Sequence, residues 1–214
     1  MATTRRLTRD ERKAETRERL LEAATRVFAR RGYQAASVDE VAEDAGFSTG
    51  ALYSNFDGKE DLFLVVLERH ISRQVRELSD AVAERPTIDE RARGGAEHWM
   101  AFVEREPELV MLFIEFWAFA VRNPEVRPRF AARYADVRAA VSRLIDSGAR
   151  ELGVELAIPA EQLATAIDAL ADGFALQKLA DPDAVPDELF GTVLSLLFEG
   201  ARRSTGGGTD VPGG

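Results

Sequence analysis

The chain has 214 residues, no cysteine and a formal net charge of −9. This length fits one large domain or two small ones, and the lack of cysteine excludes disulfides and thiolate metal sites. The first residues contain no apolar segment of the signal-peptide type, so we expect a cytoplasmic protein. The longest apolar run, residues 109–121, contains Glu115 and is too short to cross a bilayer.

The first 35 residues predict a polar arm followed by one long helix. Residues 1–7 are polar and contain two arginines, which favours either a flexible arm that touches phosphate or the minor groove, or a solvated tail. Thr8 and Glu11 have the spacing of a capping box and predict a helix that runs to Arg31 and ends at Gly32. Its second half carries an apolar face at helical spacing. Tyr33 is predicted to be a core ring or to face phosphate.

Residues 37–55 predict two short helices joined by a tight turn. Ser37 and Glu40 form a second capping box, so a helix begins at about Val38. Gly46 can take the left-handed cap conformation, and Phe47 is expected to point into the core. Ser48 then caps a second helix over residues 49–55. Two helices in this arrangement form a helix-turn-helix, whose second helix enters the DNA major groove.

The second helix presents small and polar side chains on the side away from Leu52 and Phe56, which are four residues apart and can be buried together. Lys59 opens the next helix, where its charge and the free amides favour phosphate. The residues predicted to contact DNA are Ser37, Ser48, Thr49, Gly50, Tyr53, Ser54, Asn55 and Lys59.

These residues resemble the DNA-binding motif of the TetR family of transcriptional regulators. The resemblance is close over residues 16–65 and rests on Ala45-Gly46-Phe47-Ser48, Gly50, Leu52-Tyr53, Phe56, Lys59-Glu60 and Leu62. Ser37 stands where the family has Thr or Ser, and Asn55 stands where many members have His or Tyr. The resemblance implies a regulator that represses transcription and is relieved when a small molecule enters its C-terminal domain.

The acidic charge is confined to the part of the chain after the predicted DNA-binding motif. Residues 1–60 carry eleven basic and eleven acidic side chains, so the remainder holds the whole of the −9. The acidic part can repel DNA while the neutral part docks through local Arg and Lys. One subunit therefore offers few phosphate contacts, and we expect two subunits to bind DNA together.

The rest of the chain predicts helices only. They span about residues 59–84, 89–105, 106–123, a segment carrying Phe130 to Ile145, 160–179 and 187–203. The adjacent Gly94 and Gly95 allow a bend or close packing in mid-helix. In the apolar helix 106–123, Glu108, Glu115 and Arg122 are seven residues apart, which indicates a solvated stripe, although Glu115 could instead orient a ligand.

Large rings concentrate in these helices and can fill a closed core or line a cavity. We expect a small apolar or aromatic effector, because the sequence offers no obvious buried Arg or Lys as a counter-charge. The residues predicted to line its site are Trp99, Phe102, Phe113, Phe116, Trp117, Tyr134, Phe174 and Gln177.

The last two helices carry more apolar surface than one core needs. Such a pair indicates a four-helix interface across a two-fold axis, and hence a homodimer. The residues predicted to form it are Leu170, Phe174, Phe190, Val193, Leu194 and Leu197.

The sequence therefore predicts an all-α fold of two domains. Residues 1–58 would form the helix-turn-helix domain, residues 59–203 a helical bundle for effector binding and dimerisation, and residues 204–214 a disordered tail. Two alternatives stay open: an architectural DNA-binding protein with a closed core, and a helical enzyme that uses Glu115 with His98. No catalytic motif, cofactor fingerprint or metal-ligand pair is recognisable, and neither His70 nor His98 is followed by a metal-ligating residue type at i+4.

Overall fold

Helices make up nearly all of the regular structure in residues 8–202, the part of the chain that the computed structural model describes. A short 3-10 helix spans Pro182–Ala184, and an isolated antiparallel bridge joins Leu156 to Arg202. The all-α prediction is confirmed for these residues. The predicted arm at residues 1–7 and tail at residues 204–214 lie outside them. The α-helices are α1 (Arg9–Ala35), α2 (Val38–Ala45), α3 (Thr49–Tyr53), α4 (Lys59–Ala83), α5 (Ile88–Arg105), α6 (Pro107–Arg122), α7 (Arg127–Glu151), α8 (Ala160–Ala180) and α9 (Leu189–Gly200).

The helices belong to two compact units, and the chain passes between them three times. Unit 1 contains the chain up to Gln74 and residues 105–135, so α6 belongs with α1–α3. Unit 2 contains residues 75–104 and the chain from Asp136 onward. The predicted boundary at residue 58 separates proposed roles and does not coincide with the division into units.

The core of unit 1 joins α1, α4 and α6 through interlocking rings. Leu20, Val27 and Phe28 of α1 are at most 1% exposed. Phe63 of α4 stacks on Phe116 of α6 with ring centroids 4.2 Å apart, and Tyr33 packs edge-on against both at 5.0 and 4.8 Å. Ring pairs of this kind contribute about 0.5–1.5 kcal/mol beyond their buried area.

The core of unit 2 is built from α5, α8 and α9. Phe190 of α9 is buried and lies 4.8 Å from the ring of Phe174 on α8. The indole N–H of Trp99 donates to the Ala171 carbonyl at 2.9 Å, so the polar group of this half-buried ring is satisfied.

Phe47 packs against the core of unit 1, as predicted; it is half-buried, and the Arg19 guanidinium covers its ring at 4.7 Å. Two helix boundaries need correction. Helix α3 ends at Tyr53 instead of Asn55, because the side chains of the next two residues bond the Ala51 carbonyl in place of further helical turns. Helix α9 spans 189–200, whereas 187–203 was predicted; residue 203 lies outside the described part of the chain. Just after the last residue of α9, the Ala201 carbonyl accepts from Ala157 N–H at 2.7 Å.

Candidate nucleic-acid interface

The α2–α3 pair is fixed by local capping. Ser37 Oγ accepts from Glu40 N at 3.1 Å while the Glu40 carboxylate accepts from Ser37 N, so the predicted capping box is present. Gly46 has φ 74°, and Phe47 N–H donates to the Ala42 carbonyl at 2.8 Å. This closure satisfies the last carbonyls of α2 and turns the chain directly into α3.

Three of the predicted DNA contacts form an open surface on α3. Tyr53 is 57% exposed and its phenol has no hydrogen-bond partner within the described residues. Gly50 is exposed, and the nearest atom to a β-carbon placed there would be Ser48 Oγ at 3.8 Å. The Thr49 hydroxyl donates to Asp39 Oδ1 at 2.7 Å, which leaves its lone pairs and methyl group available.

The other predicted contacts on this motif have structural partners. Ser48 Oγ caps α3 by accepting from Ala51 N at 3.2 Å. Ser54 Oγ and Asn55 Nδ2 both donate to the Ala51 carbonyl, at 2.7 and 2.8 Å. These groups close the two ends of a five-residue helix, so any DNA contact would come in addition to that role.

Lys59 has an intramolecular partner that the sequence did not reveal. Its Nζ donates to the Gln34 carbonyl at 3.0 Å and lies 4.7 Å from the centre of the Tyr33 ring. Partial burial lowers the pKa of Lys59, an effect that the carboxylates of Glu60, Glu115 and Glu40 oppose. An ammonium has three N–H donors, so the bond to Gln34 leaves two for a phosphate.

Several arginines of α1 are already engaged. Arg26 and Arg31 pair with Asp44 and Glu40 at 2.6 and 2.9 Å. Arg17 lies over the Phe56 ring at 4.3 Å, and the Arg19 guanidinium donates to the Ala45 carbonyl at 3.0 Å. Three of these guanidiniums bond residues of α2 and one covers Phe56 after α3, contacts that sequence spacing did not indicate.

The prediction that Glu115 lies in a solvated stripe was wrong, because its carboxylate is half-buried and bonds two backbone amides. The alternative, that Glu115 orients a ligand, stays a prediction. Glu115 Oε2 accepts from Tyr33 N at 2.8 Å, and Oε1 accepts from Gln34 N at 2.7 Å. The partners are more than eighty positions away in the chain, so no local pattern could have identified them.

The residues predicted to line the effector site are divided between the units. Phe113, Phe116, Trp117 and Tyr134 belong to unit 1, whereas Trp99, Phe102, Phe174 and Gln177 belong to unit 2. Phe116 is 0% exposed within the ring core, whereas Trp117 is 45% exposed. Their role in binding an effector stays a prediction.

One open cleft of about 550 Å³ lies in unit 1 between the end of α1 and the start of α6. None of the residues predicted to line an effector site borders it. Its lining residues are Phe28, Ala29, Gly32, Pro107, Glu108, Met111, Leu112 and Glu115.

The residues predicted to form the dimer interface differ in exposure. Phe190 and Leu194 are buried inside the single chain, at 1% and 4% exposure. In a dimer they would pack under the contacting residues and would not themselves touch the partner. Val193 and Leu197 are half-buried, and the neighbouring Leu196 is 62% exposed. Leu196 was not among the predicted residues.

Among residues 8–202, no cluster of His, Asp and Glu side chains has the arrangement of a metal site. None of the helices in that range is both long and apolar enough to cross a membrane.

Two family models match the chain. Residues 20–66 match the model described as bacterial regulatory proteins, tetR family. Residues 88–197, about half of the chain, match the model described as BetI-type transcriptional repressor, C-terminal.

Individual proteins of known name are also similar. The chain is 38% identical over 110 residues to the HTH-type transcriptional activator FasR of Mycolicibacterium smegmatis, covering 51% of this chain and 48% of FasR. It is 28% identical over 167 residues to the HTH-type nicotine-responsive transcriptional repressor HdnoR of Paenarthrobacter nicotinovorans, covering 78% of this chain and 84% of HdnoR. The crystal structure of a putative transcriptional regulator from Pseudomonas aeruginosa PAO1 superposes with a TM-score of 0.68 at 25% identity, covering 91% of this chain and 92% of that one.

Proposed function

The chain belongs to the TetR family of bacterial transcriptional regulators, and from that membership we propose that it is a homodimeric repressor released from operator DNA by a small apolar or aromatic effector. The family and the named relatives are DNA-binding regulators and not enzymes. In this proposal residues 1–58 form the DNA-binding head and residues 59–203 bind the effector and dimerise. We place the protein in the cytoplasm, where its DNA target lies.

The exposed surface of α3 is the observation that carries the DNA-binding part of the proposal. A helix of only five residues is held at both ends by side-chain caps, while Tyr53 and Gly50 face outward without partners among the described residues. Short capped helices of this kind dock their first residues against base edges in the major groove.

Two observations support the proposed dimer: the charge of the head and the apolar surface of the last helices. Residues 1–60 carry no net charge, and Arg26 and Arg31 are engaged in ion pairs, so each head offers phosphate a small positive footprint. Two heads on a two-fold axis double that footprint and read two half-sites. Leu176 and Leu196, exposed by 48% and 62% on α8 and α9, are the apolar surface that a second copy would cover.

The effector part of the proposal has its own support. HdnoR is named as nicotine-responsive, and it aligns with more than three quarters of this chain. A population shift is the physical mechanism: the effector binds more tightly to the conformation whose two heads no longer match successive major grooves. FasR is named as an activator, so the direction of control is tested separately below.

Selection of duplexes from a random library, followed by a promoter-reporter assay, tests this function. The proposal predicts a palindromic duplex whose two half-sites lie about 34 Å apart or a multiple of that, and lower reporter output when the protein is present. Higher output would make the protein an activator. Failure to select any duplex would remove the DNA-binding function altogether.

A thermal-shift screen with hydrophobic compounds separates the effector proposal from the architectural alternative. The proposal predicts compounds that raise the melting temperature and release the selected duplex. A flat response throughout the screen favours a DNA-binding protein with a closed core. A multiply charged ligand in the released protein would contradict the apolar effector class.

A further inference from the structure

A carboxylate from α6 holds the backbone that follows the break in α1. Glu115 accepts from Tyr33 N at 2.8 Å and from Gln34 N at 2.7 Å, one bond to each oxygen. Hydrogen bonds to an ionised carboxylate are roughly twice as strong as neutral ones. The contact therefore fixes residues 33 and 34 relative to α6.

Gly32 is the residue that makes this contact possible. Its φ of 75° and ψ of 166° interrupt α1, which leaves the next two N–H groups without helical acceptors. A β-carbon at this position would lie 2.7 Å from Glu115 Oε2, so any other residue would push the carboxylate away from its present position. The positive φ also favours glycine here.

The segment formed by Tyr33 and Gln34 is also held by the start of α4. Lys59 Nζ donates to the Gln34 carbonyl at 3.0 Å, and the Tyr33 hydroxyl donates to Glu60 Oε1 at 3.2 Å. Burial, with the nearby Glu60 carboxylate, raises the pKa of the Tyr33 phenol, which keeps it protonated as a donor. Residues 33 and 34 thus connect α6 to the first turn of α4, which follows α3 after five residues.

We propose that Glu115 couples α6 to the DNA-binding head through the backbone of Tyr33 and Gln34. This inference rests on the proposed DNA-binding function. In this proposal Glu115 does not contact DNA. It is a positioning residue, because it holds the backbone of residues 33 and 34. Coupling of this kind is reciprocal, so a head that is fixed on DNA must also alter the stability of α6.

Glu108 provides a matched control. It lies on α6 in the same stripe, seven residues before Glu115, and is exposed. It bonds neither the Tyr33 nor the Gln34 amide. Glu108→Gln removes the same charge from the same helix without touching the proposed coupling.

Hydrogen exchange of the full-length protein, with and without a duplex selected from a random library, tests the proposal. In the wild type, saturating duplex should slow exchange in α3 and should also slow it at least about threefold in residues 107–122. Glu115→Gln keeps the shape but offers one acceptor where two are needed, so its α6 response should disappear while the α3 response remains. Glu108→Gln should respond as the wild type does.

The α6 response to DNA is a readout that a merely structural Glu115 would not change. The proposal is overturned if Glu115→Gln retains the full α6 response, or if the wild type protects α3 but not α6. Should Glu115→Gln not fold, Glu115→Asp, which keeps the charge but is one methylene shorter, must show the same loss. If no duplex is selected, DNA binding itself is overturned, which is distinguishable from loss of coupling alone.

Discussion

Arg85 lies across Gly94, so closely that a β-carbon at residue 94 would stand 2.3 Å from Arg85 Nε. The guanidinium is held there by the Ala81 carbonyl at 3.1 Å and by Glu97 Oε2 at 2.9 Å. Gly95 has ordinary packing, with Leu78 Cδ1 at 3.4 Å from the corresponding position. The sequence predicted either a bend or close packing at Gly94 and Gly95. Gly94 has the second role, because Arg85 packs closely against it.

Gly94→Ala and Gly95→Ala should change stability in opposite directions. Gly95→Ala should raise the unfolding free energy by about 0.5–1 kcal/mol through helix propensity. Gly94→Ala should lower it by about 1 kcal/mol, because the displaced guanidinium loses hydrogen bonds worth about 1 kcal/mol each. Urea denaturation measures both. In an Arg85→Ala background Gly94→Ala should become stabilising, and persistence of the loss there would refute this explanation.

Charge on the outer face of α9 should dissociate the proposed dimer. Val193→Glu or Leu197→Glu would bury an unpaired carboxylate between two copies, at a cost of several kcal/mol. Light scattering should then report monomer or aggregate. Met111→Glu on α6 is the control, since it adds the same charge at a residue that is 53% exposed and outside the predicted interface. A dimer mass in both α9 variants would place the interface elsewhere.

Asp168 should make stability fall as the pH rises. One carboxylate oxygen is buried without a hydrogen-bond partner in the described structure. Burial, aided by Asp172 one turn later and opposed by Arg138, raises its pKa from 3.8 to about 7. At a pH between the ordinary pKa and the raised one, folded Asp168 holds a proton that the unfolded chain has released. The unfolding free energy therefore declines as the pH rises through that range, and it levels off above the raised pKa.

Comparison with Asp168→Asn isolates that effect from the other titrating groups. The asparagine has no proton to lose, so the wild type should lose stability relative to the variant as the pH rises from about 4 to about 7. Denaturant midpoints at several pH values give the difference. Asp172→Asn should lower the folded-state pKa of Asp168, so the pH range over which stability falls should end at a lower pH. A difference that stays constant with pH would mean that Asp168 is not buried in this way.

Local features of the fold could be predicted from the sequence. The capping boxes at Thr8 and Ser37 and the left-handed Gly46 are decided by residues within three or four positions of one another, and all are present. The predicted starts of α2 at Val38 and α4 at Lys59 are also correct, because neighbouring residues decide them.

Long-range partners were not predictable. Glu115 and Lys59 both contact Tyr33 and Gln34, but the first lies on a helix that only tertiary packing brings there. The membership of α6 in unit 1 is set by ring packing between Phe63 and Phe116, which helical periodicity alone does not pair. Periodicity shows that a face is apolar but not what covers it.

Phe113→Ala should weaken the response to an effector while leaving DNA binding intact. Phe113 is half-buried and lies 6.0 Å from the Tyr134 ring. Some decrease in melting temperature is expected, because removing a Phe side chain from a core costs about 3–5 kcal/mol when fully buried. With a compound from the thermal-shift screen, duplex release should need at least about tenfold more compound, or about 1.4 kcal/mol. An unchanged release curve would remove Phe113 from the effector site.

The central claim is that α3 reads DNA through its exposed face, and titration of the selected duplex with Tyr53→Ala tests it most directly. Removing one side chain that binds in the major groove costs about 1–3 kcal/mol, so its removal from both heads should weaken specific binding at least about 30-fold. Helicity by circular dichroism should not change, since Tyr53 is mostly exposed.

Fluorescence anisotropy at several salt concentrations, with the selected and a scrambled duplex, separates Tyr53 from Lys59. Lys59→Ala should weaken binding to both duplexes and reduce the salt slope by about one for each head, as removal of one phosphate-binding cation does. Tyr53→Ala should remove the preference for the selected duplex and bind both duplexes equally weakly. If Tyr53→Ala binds the selected duplex as tightly as the wild type does, then α3 is not the surface that reads DNA.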